Sequence, residues 1–74
     1  YPNPTSNFIS ISFQNKQNSE IFIYDVLGNE VYYQKANNEE FLNIDLSLFY
    51  QGSYILKTIL DKNQISLYTK IIKL

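Results

Sequence analysis

Residues 20–35 read Glu20-Ile21-Phe22-Ile23-Tyr24-Asp25-Val26-Leu27-Gly28-Asn29-Glu30-Val31-Tyr32-Tyr33-Gln34-Lys35. Ile21 and Ile23 share one side of an extended chain, and Phe22 and Tyr24 share the other. After Gly28-Asn29 the alternation resumes, with Val31 and Tyr33 set against Tyr32. Apolar residues at a period of two mark strands, and a Gly-Asn pair between them marks a hairpin, because glycine reaches positive φ without steric cost. This stretch therefore predicts two antiparallel strands joined by a tight turn.

The same pattern continues outward. Upstream, Ile9, Ile11 and Phe13 alternate with Ser10 and Ser12, and polar residues 14–19 read as a loop. Downstream, Asn37-Asn38 reads as a turn. A fourth strand follows from Glu40, with Leu42, Ile44 and Leu46 on one face and Asn43 and Asp45 on the other. Ser47 to Gly52 is a short loop. Ser53 to Leu60 is a fifth strand, with Tyr54 and Leu56 expected to face the core, and Asp61-Lys62-Asn63 turns the chain. Gln64 to Lys73 is a sixth strand. Ile65, Leu67 and Ile71 take one of its faces and Tyr68 and Ile72 the other, a pattern that predicts a bulge or burial on both sides. No segment keeps a helical period. The expectation is an all-β protein: a small antiparallel β-sandwich or barrel forming a single domain over residues 1–74.

Composition narrows the chemistry. The 74 residues carry six Lys, seven acidic residues, no Arg, no His and no Cys, for a net charge of −1. No basic stripe suits nucleic acid, and no apolar run reaches the length of a membrane span. Without Cys there is no disulfide framework or thiolate site, and without His the usual acid–base group is missing. A chain this short is marginal without staples. Seven Tyr and five Phe compensate, each burying on the order of 150–250 Å² when inside. The chain lacks Met and starts at Tyr1, so we expect a piece of a longer protein.

Few residues suggest a site. Asp25 and Asp45 are candidate acids, but a retaining glycosidase sets two carboxyls about 5–5.5 Å apart across a cleft. Acids at strand ends more simply accept backbone hydrogen bonds. Asn37 to Glu40 offers oxygen ligands yet lacks the order that wraps a calcium ion, and reads as a solvated turn. Tyr32, Tyr50 and Tyr68 are candidates for a sugar-binding platform. Tyrosines also rim cores with the hydroxyl in water.

Four stretches, taken together, resemble a known family. The opening is Tyr1-Pro2-Asn3-Pro4. The hairpin contains Ile23-Tyr24-Asp25-Val26-Leu27-Gly28. The middle has Ile44-Asp45-Leu46-Ser47, then Gly52 and Tyr54. The end is Lys70-Ile71-Ile72-Lys73-Leu74. In this order, and over nearly the whole chain, they resemble the C-terminal sorting domain of cargo of the type IX secretion system of Bacteroidetes.

The resemblance implies an immunoglobulin-like β-sandwich of about six to seven strands that acts as a secretion signal, with no catalysis and no cofactor. It implies export through the periplasm to the cell surface or medium. The implied partners are the outer-membrane translocon and a sortase-like protease that removes the domain; the domain itself is expected to be a monomer. The motif residues carried over are Pro2, Asn3, Pro4, Tyr24, Asp25, Gly28, Asp45, Leu46, Gly52, Tyr54, Lys70, Ile71, Ile72 and Lys73, as recognition or structural positions. Lys70 and Lys73 are expected to present charge to the translocon, with edge-strand protection as the alternative. The loop departs from the family pattern: Leu48-Phe49 stands where a small residue and Leu are usual, so Phe49 is expected to fill the Leu site. The competing readings are a small carbohydrate-binding or adhesive module and a structural spacer.

Overall fold

The computed structural model describes residues 7–60 and 65–74. They form four antiparallel strands: β1 (Phe8–Tyr24), β2 (Glu30–Asp45), β3 (Gly52–Leu60) and β4 (Ile65–Lys73). One sheet contains them all, in the order β2-β1-β3-β4. The hairpin expected at Gly28-Asn29 joins β1 to β2, pairing Glu20 with Lys35, Phe22 with Tyr33 and Ile23 with Tyr32. The described strands thus form two antiparallel pairs, β1–β2 and β3–β4, joined along one seam from Ser19↔Leu60 to Tyr24↔Ile55.

Two expected breaks are absent. The loop at residues 14–19 lies within β1, and the Asn37-Asn38 turn lies within β2. The two polar stretches face each other, with Gln17 opposite Glu39 and Ser19 opposite Ala36. Each supplies the other's backbone partners, so neither needs to close a turn of its own. The turn chemistry survives as a bend. Asn38 holds φ at +55°, and its N–H donates to Asn18 Oδ1 at 2.7 Å. The predicted segments therefore merge, and the described residues form one sheet of four strands instead of a six- to seven-stranded immunoglobulin-like sandwich. The turn expected at Asp61-Lys62-Asn63 lies outside the described residues.

The bend supplies the missing layer. β3 pairs with β1 only from Ser19 to Tyr24, so among the described residues the far arm, Phe8–Ser12 with Phe41–Asp45, pairs as a two-stranded ribbon. A flat ribbon leaves both faces wet. Ile9 and Ile44 nevertheless lie buried in one cluster with Ile21, Ile23, Leu56 and Ile71. The far arm must therefore curl over the inner face of the sheet. Tyr32 records the closure from the other side. Burial, and next the charge of Asp45, raise its phenol above the ordinary value. Asp45 lies on the far arm of the same strand.

Register preserves the core through the bend. From Ser12 to Ser19 β1 advances seven residues, while from Phe41 to Ala36 β2 advances five. Both steps are odd, so the inward faces of the two arms stay inward; a mismatch of one would turn an arm inside out. Small residues, Ser19 and Ala36, are paired and fully buried on the inside of the bend.

Two stability outcomes follow. Ile44 is 0% exposed, so Ile44→Val should cost about 0.5–1.5 kcal/mol and Ile44→Ala about 2–5 kcal/mol in urea titration. Losses confined to a few tenths would show that the far arm does not pack. Ser19 Oγ is buried with no hydrogen-bond partner among the described residues, and such a hydroxyl carries a desolvation cost of about 1–3 kcal/mol. Ser19→Ala should therefore raise the urea midpoint, and an unchanged or lower midpoint would contradict this account.

Candidate functional site

Two loops cap one end of the sheet, and an aspartate opens each. In the first, Asp25 Oδ1 accepts the N–H groups of Leu27 and Asn29, both at 2.9 Å. Gly28 N–H donates to the Asp25 carbonyl at 3.0 Å. Gly28 sits at φ +87° with nothing within 4 Å of where a Cβ would stand, so backbone conformation alone calls for glycine. In the second loop, Asp45 Oδ1 accepts Ser47 N–H at 2.9 Å, and Phe49 N–H donates to the Leu46 carbonyl at 2.9 Å. Both aspartates thus tie the backbone two residues ahead, the device that favours Asp at turns. Hydrogen bonds from Asn29 first, opposed by slight desolvation, leave Asp25 below the ordinary carboxylate value. The Ser47 backbone N–H does the same for Asp45. These acids are fixed as ionised turn acceptors, which is the plainer of the two expectations.

The strands bring the remaining motif residues to the same end. Antiparallel pairing sets Tyr24 beside Ile55, Tyr54 beside Ile71 and Gly52 beside Lys73. Gly52 also has positive φ, at +149°. Tyr54 is buried between two open hollows of about 310 and 470 Å³. Val31, Leu48, Phe49 and Tyr50 line one; Val26, Ser53, Ile55 and Lys70 line the other. The Tyr54 hydroxyl donates to the Tyr50 carbonyl at 2.7 Å, tying the second loop to β3. Phe49 packs against the core, its ring 5.2 Å from Tyr54 and 6.4 Å from Tyr32.

Nine of the motif positions converge here: Tyr24, Asp25, Gly28, Gly52, Tyr54 and the run Lys70-Ile71-Ile72-Lys73. Asp45 and Leu46 reach the same region through the second loop, with Leu46 buried. Pro2, Asn3 and Pro4 lie outside the described residues. One expectation needs correction. Lys70 is exposed, but Lys73 is only 8% exposed. It shares the inward parity of Ile71, and its Nζ donates to the Leu74 carbonyl oxygen at 3.0 Å. Sequence reading named the loop-tip residues only singly and did not join them into one exposed set. Val26, Leu27, Leu48 and Tyr50 are largely exposed, and apolar residues beside turn-forming Asp and Gly were the available signal.

The three tyrosines proposed as a platform are scattered. Tyr32 packs against the core, Tyr50 stands on a loop and Tyr68 lies on β4. A different row crosses the outer face, pairing Tyr33 with Phe22, Phe22 with Lys57 and Lys57 with Tyr68. Lys57 Nζ lies 5.7 Å from the Phe22 ring centroid and 5.9 Å from that of Tyr68. The rings of Phe22 and Tyr33 are tilted by 53°, whereas those of Phe22 and Tyr24 lie within 13° of parallel.

Comparison with known proteins matches residues 1–74, the whole chain, to the family described as secretion system C-terminal sorting domain. The chain belongs to that family. It is 37% identical over 66 residues to an ulvan lyase of Nonlabens ulvanivorans, covering 88% of this chain and 12% of that protein. It is 31% identical over 72 residues to an endo-acting ulvan lyase of Formosa agariphila, covering 97% and 14%. The chain thus spans about an eighth of the length of these relatives. The sorting domain is a type IX secretion signal of a secreted protein of Bacteroidetes, addressed to the cell surface or extracellular space, in a non-catalytic family.

The two turn aspartates give the sorting domain an acid limit. Each has a folded pKa below its ordinary 3.8. Their contribution is complete above pH 3.8 and is lost as pH falls through their lower folded values. Melting temperature should therefore drop on acidification below that point. Asp25→Asn with Asp45→Asn, which keeps an acceptor but removes the titration, should flatten the drop. An equally steep profile in the double variant would assign the acid sensitivity elsewhere.

Proposed function

We propose that residues 1–74 form one sorting domain appended to a larger secreted protein, and that the type IX outer-membrane translocon recognises it by the loop-capped end. The convergence of motif residues from distant parts of the sequence on that end carries the reading. Val26 and the exposed Lys70 share one hollow beside Tyr54, Leu48 lines the other, and Leu27 is an exposed apolar tip of the first turn, a surface of shape and charge suited to recognition by another protein. Both aspartates are held ionised by their own turns, which suits them to scaffolding.

The immunoglobulin-like reading enters the same proposal in reduced form: the curled far arm serves as the second layer over the sheet. We further infer that the domain is recognised as a monomer, and that a sortase-like protease cuts between it and the cargo. The activity of the cargo does not travel with the likeness to ulvan lyases, because that likeness spans only the sorting domain. The alternative of a carbohydrate-binding module loses its main support with the scatter of Tyr32, Tyr50 and Tyr68 over core, loop and β4.

Fused behind a periplasmic reporter in a host with a working type IX system, this domain should carry the reporter out of the cell. The same fusion should stay in the periplasm of a translocon-deficient strain. An intact, folded fusion that remains periplasmic in the competent host would refute the sorting role.

A further inference from the structure

The second loop is a rigid mount for two exposed side chains. Leu48 is 96% exposed and Tyr50 is 89% exposed, yet Phe49 between them packs against the core. The backbone around these three residues is fastened on both sides. Leu46 N–H donates to the Asn7 carbonyl at 2.6 Å, and Phe49 N–H donates to the Leu46 carbonyl at 2.9 Å. Asp45 Oδ1 accepts Ser47 N–H at 2.9 Å, and the Tyr54 hydroxyl donates to the Tyr50 carbonyl at 2.7 Å. The motif residues Asp45, Leu46 and Tyr54 therefore build the mount, and Leu48 and Tyr50 are what it displays.

Both tips line the hollow of about 310 Å³, together with Val31, Phe49 and Tyr54. Leu48, Tyr50 and Val31 are exposed, whereas Phe49 is half-buried and Tyr54 is buried. Apolar residues standing singly in water need no explanation, but three of them around one hollow with an aromatic root in the core form a contiguous patch. Pockets with fixed walls of this kind take the anchor side chains that dominate protein interfaces. The charge beside the hollow is negative. Asp45 opens the loop and Glu30 precedes Val31 on β2, and among the described residues no lysine lines the hollow.

We propose that this hollow, with Leu48 and Tyr50 as its grip, takes one bulky apolar side chain of a protein of the export apparatus, and that a basic residue next to that side chain meets Glu30 and Asp45. The inference rests on the sorting role and names what the partner brings. A loop already held in place loses little freedom on binding, so less of the contact energy is spent on ordering it. A second copy of this chain is a poorer occupant. Docking by the same face sets Glu30 and Asp45 of one copy toward those of the other, and like charges brought together oppose association. An anionic lipid surface is opposed by the same two carboxylates.

The test uses the reporter fusion with Leu48→Ser and, separately, Tyr50→Ser. Both side chains are exposed, so each variant should melt within a few degrees of the parent yet lower export about ten-fold or more, as the loss of an anchor contact does. Leu48→Met and Tyr50→Phe should keep export near that of the parent. Glu30→Lys should lower it several-fold by opposing the partner's basic residue. Phe41→Ser, which removes an exposed ring on the far arm, should leave it unchanged. Wild-type export from either folded serine variant, or an equal loss from Phe41→Ser, overturns the anchor, and parental export from Glu30→Lys overturns the basic residue. In each of these cases export of the parent fusion keeps the sorting role standing, whereas failure of the parent fusion strikes the sorting role itself. Sedimentation of the purified chain should show a monomer that does not bind phosphatidylglycerol vesicles. A dimer, or vesicle binding, that Leu48→Ser abolishes would make the second copy or the lipid the occupant and overturn the proposed partner.

Discussion

The fold depends on bending one hairpin. Among the described residues, four strands in a single sheet have an inner face that no further element covers. The far arm of β1–β2 solves this by curling over. Ile9, Leu42 and Ile44 come down on Ile21, Ile23, Leu56 and Ile71. The hydrophobic effect supplies the drive, since each such side chain gains about 1.5–3 kcal/mol on full burial. The small pair Ser19 and Ala36 makes room at the inside of the curve. Closure of the arm also brings the second loop against β3, where Tyr54 holds the Tyr50 carbonyl. The candidate site is therefore a product of the curl.

Most of the strand faces were legible in the sequence. Ile21 with Ile23, Leu42 with Ile44 and Leu46, and Tyr54 with Leu56 are buried where alternation placed them. The hairpin at Gly28-Asn29 and the packing of Phe49 were legible as well. The breaks at residues 14–19 and at Asn37-Asn38 were misread for a definite reason. Polar and turn-forming residues carry a local signal, whereas their pairing with each other is decided by chain segments 17–22 positions apart, as Ser19↔Ala36 and Gln17↔Glu39 show. Strand preference depends on what lies alongside.

The motif residues were legible as a set, but their meeting place was not. Tyr24 and Lys70 flank Ile55, and Gly52 faces Lys73, because β1, β3 and β4 lie side by side and antiparallel, and that order is not written in any local pattern. Lys73 shows the opposite case. Two positions beyond Ile71, it shares the inward side of β4, so its burial was available from alternation alone. Family likeness drew attention to its charge instead. What remains on the surface is a set of turns and apolar tips, a vocabulary for being recognised by other proteins.

The paired bend also bears on how such domains vary in length. Because β1 and β2 cross it with seven and five residues, the chain there already contains two more residues on one side than on the other without disturbing the core. Further gains or losses that arrive in twos keep the far arm right side in. A single inserted residue exchanges Ile9 and Ile11 for Ser10 and Phe8 at the core and leaves the arm with nothing to bury. In this domain, then, the core admits even steps at the bend, while odd steps suit the loops, where no face has to be kept.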